Sequence, residues 1–230
     1  MVLGALLALG APREPLEAAL TTLGLGPFHL HTETAASMHL AGLRARVEIP
    51  GQPEAGAPAE PVDAPGHHHH HHENEPAHDH THEHHHHAHR ALSEIEHMIN
   101  AAALPAPVAA DAIAVFRALG AAEANVHGVP VESIHFHEVG AADSILDIVG
   151  SCWCRHALGI DSVSVGPIPL GRGVIRCAHG VYPNPAPASL KLIAGLPVVQ
   201  TEEPFELVTP TGAALLATWQ TGDGPPPGAR

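Results

Sequence analysis

Apolar positions divide the chain into two folded parts around a polar interruption. Residues 1–10 and 14–23 repeat apolar side chains at helical spacing, with Leu16, Leu20 and Leu23 on one face of the second run. Gly24 and Gly26 stop that helix. Residues 28–33 and 43–49 alternate apolar and polar side chains, the pattern of two half-buried strands. The polar side of the second carries Arg44, Arg46 and Glu48. His29 and His31 share a face of the first; they read as a solvated face, with a metal role as the lesser alternative.

Beyond the interruption the helical pattern resumes. Residues 93–103 form one helix, capped by Ser93, and residues 108–127 a longer one bearing Ile113, Phe116 and Leu119. Gly128 and Pro130 end it. Residues 131–139 read as an extended run, and 141–158 as a further helix. Strands are expected at 163–165 and 174–177, and alternating prolines stiffen 183–187 ahead of a helix from Ala188. A last helix covers 213–219, followed by a Gly/Pro-rich tail. The expected fold class is α/β or α+β, a mixed sheet with packed helices. The expected divisions are 1–49, a disordered linker and histidine-rich insertion at 50–90, a main domain at 91–220, and a tail at 221–230.

The interruption changes the picture. Residues 50–66 are rich in Pro, Gly and Ala and bury too little to fold. Residues 67–89 then hold 14 histidines: His67, His68, His69, His70, His71, His72, His78, His80, His82, His84, His85, His86, His87 and His89. Glu73, Glu75, Asp79 and Glu83 break the run. An affinity tag would explain His67 to His72, but the run is internal and its second half is not tag-like. A tract that collects divalent metal without fixed geometry is the better reading. Only neutral imidazole ligates, so loading weakens below about pH 6.

A second concentration of donors lies in the folded part. Glu123, His127, His135, His137, Glu138, Asp143 and Asp147 fall within 25 residues. This nitrogen and oxygen mix suits nickel or zinc. On a helix Glu123 and His127 stand one turn apart on one face. On a strand His135 and His137 share one side, and Ile134, Phe136 and Glu138 the other. Asp143 opens the next helix, where the dipole favours a carboxylate, and Asp147 follows one turn later. Each residue also has a plain structural reading: Asp143 as a helix-start residue, the histidines as a solvated strand face.

Composition narrows the classes. The 230 residues are 45% hydrophobic but only 3% aromatic, so the core is built from small side chains. A formal charge of −14 argues against nucleic acid as a partner, although 23 histidines soften that figure. Lys191 is the only lysine and is not in a Gly-Lys-Ser/Thr setting, which excludes a P-loop NTPase. No run of 18 apolar residues predicts a membrane span, and residues 1–9 lack a basic leader. Cys152, Cys154 and Cys177 have no zinc-ribbon spacing and read as reduced cytosolic thiols.

Four blocks, LGALLALG, VHGVPVESIHFHEVGAADSILDIVG, PLGRGVIRCAHGVYPNPAPAS and ELVTPTGAALL, occur in this order. Together they resemble the LarC-type nickel-insertion proteins, over most of the chain outside the interruption. The resemblance implies a cytoplasmic nickel chelatase, or cyclometallase, of the lyase class. It would metallate pyridinium-3,5-bisthiocarboxylic acid mononucleotide to give the nickel-pincer cofactor of lactate racemase-type enzymes. It implies dependence on CTP, with Mg²⁺ or Mn²⁺, bound by a C-terminal half beyond Arg230. It also implies a strand and Gly-rich turn ahead of the first helix. Self-association and hand-over to a lactate racemase-type apoenzyme are further partner expectations; no nucleic acid and no membrane are expected.

On this reading the tract gathers Ni²⁺, and His135, His137 and Glu138, with Asp143 or Asp147, hold one ion. A regular strand would place Glu138 on another face. His127, His179 or Glu123 would remove the ring proton. Thr209 and Thr211, at the start of the last helix, would contact the nucleotide phosphate. Two rivals remain: a non-catalytic nickel or zinc storage or delivery protein, and a metal-dependent hydrolase.

Overall fold

A computed structural model of the chain describes residues 2–37, 40–50, 90–136, 139–177 and 180–222. The histidine-rich tract therefore lies outside the described residues, as do the predicted linker beyond Pro50 and the predicted tail beyond Gly222. Between Pro107 and Gly128 no residue breaks the helical pattern, and α4 (Ala106–His127) runs unbroken for 22 residues. It ends where Gly128 takes the left-handed conformation at φ 66° and donates its N–H to Ala124 O. Val108, Ala112, Val115, Phe116 and Leu119 form its fully buried stripe. Against it pack α3 (Leu92–Ala101), α5 (Ala142–Ala157), α6 (Pro187–Leu192) and α7 (Pro210–Trp219).

α5 is the second scaffold, burying Ile145, Leu146, Ile148, Val149 and Cys152 completely. Its Gly150 leaves space filled by Leu3, Leu16 and Leu20 of α1 (Val2–Ala8) and α2 (Arg13–Thr21). α1 in turn lies on an antiparallel hairpin, β1 (His29–Ser37) and β2 (Leu40–Glu48). The contact is close: a side chain at Gly4 would meet the backbone of Leu43 and Ala45.

The remaining strands are short. β3 (Arg90–Ala91) pairs antiparallel with β4 (His135–Phe136). β5 (Ile168–Leu170) pairs in parallel with β8 (Val198–Gln200), and β6 (Val174–Cys177) antiparallel with β7 (Gly180–Pro183). The mixed α/β class is as expected, with the strands distributed over four two-stranded ladders among the described residues. A smaller cluster of Val165, Ile168, Leu170, Ile193, Val208 and Ala213 underlies β5 and β8. No helix among the described residues is long and apolar enough to cross a membrane.

Three local expectations change. Residues 131–133 form a single 3₁₀ turn, with Ser133 N–H donating to Pro130 O at 3.0 Å, so the strand shrinks to His135–Phe136. α3 begins one residue before Ser93, and its cap is reversed: Glu94 accepts from the Ala91 N–H at 2.7 Å. Residues 163–165 contribute only a bridge between Val163 and Gln220.

One polar knot ties three helices. Asp111 of α4 accepts from Arg155 of α5 and from the Trp219 indole of α7, each at 3.1 Å. The Arg155 guanidinium also lies over the Trp219 ring, 5.3 Å from its centre. Asp111→Ala would leave a largely buried cation and an indole N–H without their acceptor. The expected cost is about 2–4 kcal/mol, read as a lowered urea midpoint at unchanged m-value.

Candidate functional site

The predicted donor residues are positioned by the end of α4, by β4 and by the start of α5. Glu123 and His127 stand one helical turn apart, with Oε2 and Nε2 separated by 3.5 Å and both side chains partly exposed. Beyond Gly128 the chain turns back along α4. Gly120 faces the returning chain: a Cβ there would lie 3.2 Å from Leu92 Cδ2, 3.4 Å from Val131 Cγ2 and 3.6 Å from Phe136 Cζ. The 3₁₀ turn and β4 thus rest directly on the helix.

In β4 the two residues part company. Phe136 is 2% exposed and packs edge-on against Phe116, ring centres 6.3 Å apart. His135, opposite Ala91, is exposed. Its Nδ1 lies 3.2 Å from Ser133 O. A proton held there leaves Nε2 with the lone pair, the arrangement in which an imidazole ligates metal. Gly140 lies close against β4: a side chain there would meet Phe136 O at 2.7 Å, and Arg90 Nη1 donates to Gly140 O at 2.5 Å. The contact between Arg90 and Gly140 carries no signal in the sequence beyond their place beside the histidine blocks.

The carboxylates come next. Asp143 lies in the first turn of α5 and accepts from the Ser144 N–H at 2.8 Å. Asp147, one turn on, is partly buried. Burial, reinforced by the nearby Asp143 charge, pushes its carboxyl up to about 6. The thiols of the same helix are poor candidates. Burial pushes Cys154 up to about 12 and raises Cys152 as well, beside the Asp111 charge, which keeps both protonated.

His137, Glu138 and His179 lie outside the described residues, as does every tract histidine from His67 to His89. Among the described residues no three His, Cys, Asp or Glu side chains are grouped to hold a metal ion. At α7, Thr209 is the N-cap, accepting from the Gly212 N–H at 3.2 Å. Thr211 lies within the first turn, after Pro210, which has no N–H to offer an anion.

Comparison with known families matches residues 1–230, end to end, to one described as the nickel insertion protein family. The chain belongs to that family. It is 40% identical over 227 residues to the pyridinium-3,5-bisthiocarboxylic acid mononucleotide nickel insertion protein of Geobacillus kaustophilus, covering 99% of this chain and 49% of that one. It is 42% identical over 219 residues to a putative nickel insertion protein of Thermomicrobium roseum, covering 94% and 46%. A Staphylococcus saprophyticus protein with the same name as the Geobacillus one is 46% identical over 136 residues, covering 59% and 35%. The chain thus spans about half the length of the curated relatives it matches along its whole length. No solved structure matches it.

Asp147 sets a pH dependence of stability. Its folded value of about 6 stands above the ordinary carboxylate value of about 4. Below about pH 4 both states hold the proton and no penalty arises. As pH rises from about 4 to about 6 the folded state keeps a proton that the unfolded state has lost, so stability falls, and the deficit is complete above about 6. Asp147→Asn is expected to stabilise by about 1–3 kcal/mol at pH 8 and to change little at pH 4, measured by denaturant unfolding.

Proposed function

We propose that this chain inserts nickel into pyridinium-3,5-bisthiocarboxylic acid mononucleotide, the precursor named for its relatives. The match over all 230 residues to the nickel insertion family carries this reading. Nickel is here a substrate. The two thiocarboxylates supply soft sulfur donors, and the ring carbon between them supplies the third bond. As that carbon–nickel bond forms, the ring C–H bond breaks and its proton must leave.

The assigned roles are these. His135 and His137, with Glu138 and Asp143 or Asp147, hold the incoming ion. His127 accepts the ring proton, oriented by Glu123 at 3.5 Å; His179 is the alternative acceptor. Thr209 and Thr211 remain the phosphate contacts, through their hydroxyl protons, since the Thr209 cap uses that oxygen only as an acceptor. The start of α7 does not fit a triphosphate, because Pro210 lacks an N–H and Gly212 donates its own to Thr209. CTP is therefore assigned to the part of the relatives outside this match, and no step is routed through it here. The product would pass to a lactate racemase-type apoenzyme.

Two measurements test the assignment in a reconstituted reaction with the complementary half present. The His135→Ala, His137→Ala double variant is expected to lose at least 100-fold in metallated product while keeping its circular-dichroism melt. Full cofactor yield from that variant would refute the ligand assignment. Deletion of residues 67–89 is expected to depress yield only when nickel is scarce; equal loss in excess nickel would refute the collecting role.

A further inference from the structure

The turn between β5 and β6, residues 171–173, is pinned on both sides by the protein itself. Each carbonyl of residues 170–173 accepts a hydrogen bond. Leu170 O takes the Thr201 N–H and hydroxyl, both at 2.9 Å. Gln200 Nε2 donates to Gly171 O at 3.1 Å, and Asn184 Nδ2 to Arg172 O at 3.3 Å. The Asn184 N–H donates to Gly173 O at 3.0 Å, and the Arg172 N–H to Glu203 O at 2.8 Å. A side chain at Gly171 would collide with Phe205 O and Asn184 Nδ2, so the segments lie in direct contact there. An exposed turn can leave such groups to water; this one does not. Asn184 is buried, and in holding the turn its Oδ1 is left without a partner among the described residues. The turn is thus fixed at the cost of an unmatched buried acceptor.

What this rigid turn presents is one long cationic side chain. Arg172 Nη1 lies 2.6 Å from Glu202 Oε2, and the two side chains are 60% and 84% exposed. An ion pair so open to water contributes little and exchanges readily for another anion. Arg13 is instead bound to Glu17 within its helix, and Arg155 to Asp111 between helices.

We propose that Arg172 binds the phosphate of the nucleotide substrate, supplying the charge that the hydroxyls of Thr209 and Thr211 lack; the inference rests on the insertion reading above. Position connects these groups. Val208, next to Thr209, and Leu170, next to Gly171, are buried in one small apolar cluster. At the start of α7 Pro210 has no N–H, and the Gly212 N–H is used by Thr209. Two neutral hydroxyls alone match a phosphate dianion poorly. A guanidinium offers it two parallel donors, and a pinned backbone lowers the ordering cost of engaging them. The phosphate then displaces Glu202 from Arg172.

The test is calorimetric titration of the full chain with pyridinium-3,5-bisthiocarboxylic acid mononucleotide and with the same compound lacking its phosphate. Arg172→Ala is expected to weaken binding of the nucleotide by about tenfold or more and to leave the dephosphorylated form unaffected. Arg172→Lys keeps the charge without the fork and is expected to restore part of the affinity. Glu202→Gln removes the competing anion and is expected to tighten nucleotide binding by about two- to threefold, an effect that a structural role for the ion pair would not produce. All three changes are at exposed side chains, and unchanged circular-dichroism melts verify the fold. Equal loss toward both compounds would overturn the phosphate assignment, as would a nucleotide affinity indifferent to Arg172→Ala; either result leaves the insertion reading standing. Failure of the unaltered chain to bind the nucleotide would overturn both.

Discussion

Burial of Phe136 is the contact on which the placement of the candidate site depends. β3 and β4 have two residues each, far too little hydrogen bonding to hold a strand in water. A fully buried phenylalanine contributes about 1.5–3 kcal/mol by transfer alone, and the edge-on contact with Phe116 adds to it. Gly120 lies beside that contact on the helix surface. Because alternate residues of a strand point oppositely, sinking Phe136 forces His135 outward. The apolar core therefore sets the direction of a polar side chain it never touches.

The same economy appears at the start of α5. Asp143 sits in the first turn, where the helix dipole favours negative charge. Asp147 is one turn deeper, where the interior opposes charge and lifts its carboxyl to about 6.

Elsewhere polar groups secure the scaffold. The Asp111 carboxylate uses its two oxygens on different helices, Arg155 from α5 and the Trp219 indole from α7. Three helices packed mainly through Ala, Val, Leu and Ile could slide by a turn at modest cost. A charged acceptor with two directional donors removes that freedom. Trp153, Cys152 and Cys154 pack on this framework.

The sequence by itself determined most of the helices, the first two strands and the family. Apolar residues repeat there at the period of their own element, and the ordered histidine-containing blocks are long enough to mark a family. Local chemistry also placed Glu123 beside His127, since four residues on a helix is a fixed distance. What the sequence left open was every relation between segments. The 131–139 run looked like one strand because alternation cannot register the turn that Pro130 starts; only pairing with residues 90–91 showed where β4 begins. The pairing of residues 90–91 with 135–136, the link from Asp111 to Trp219, and the contact of His31 with Glu48 join positions 17 to 108 residues apart. No periodicity encodes such distances; they follow from which faces the core can bury together.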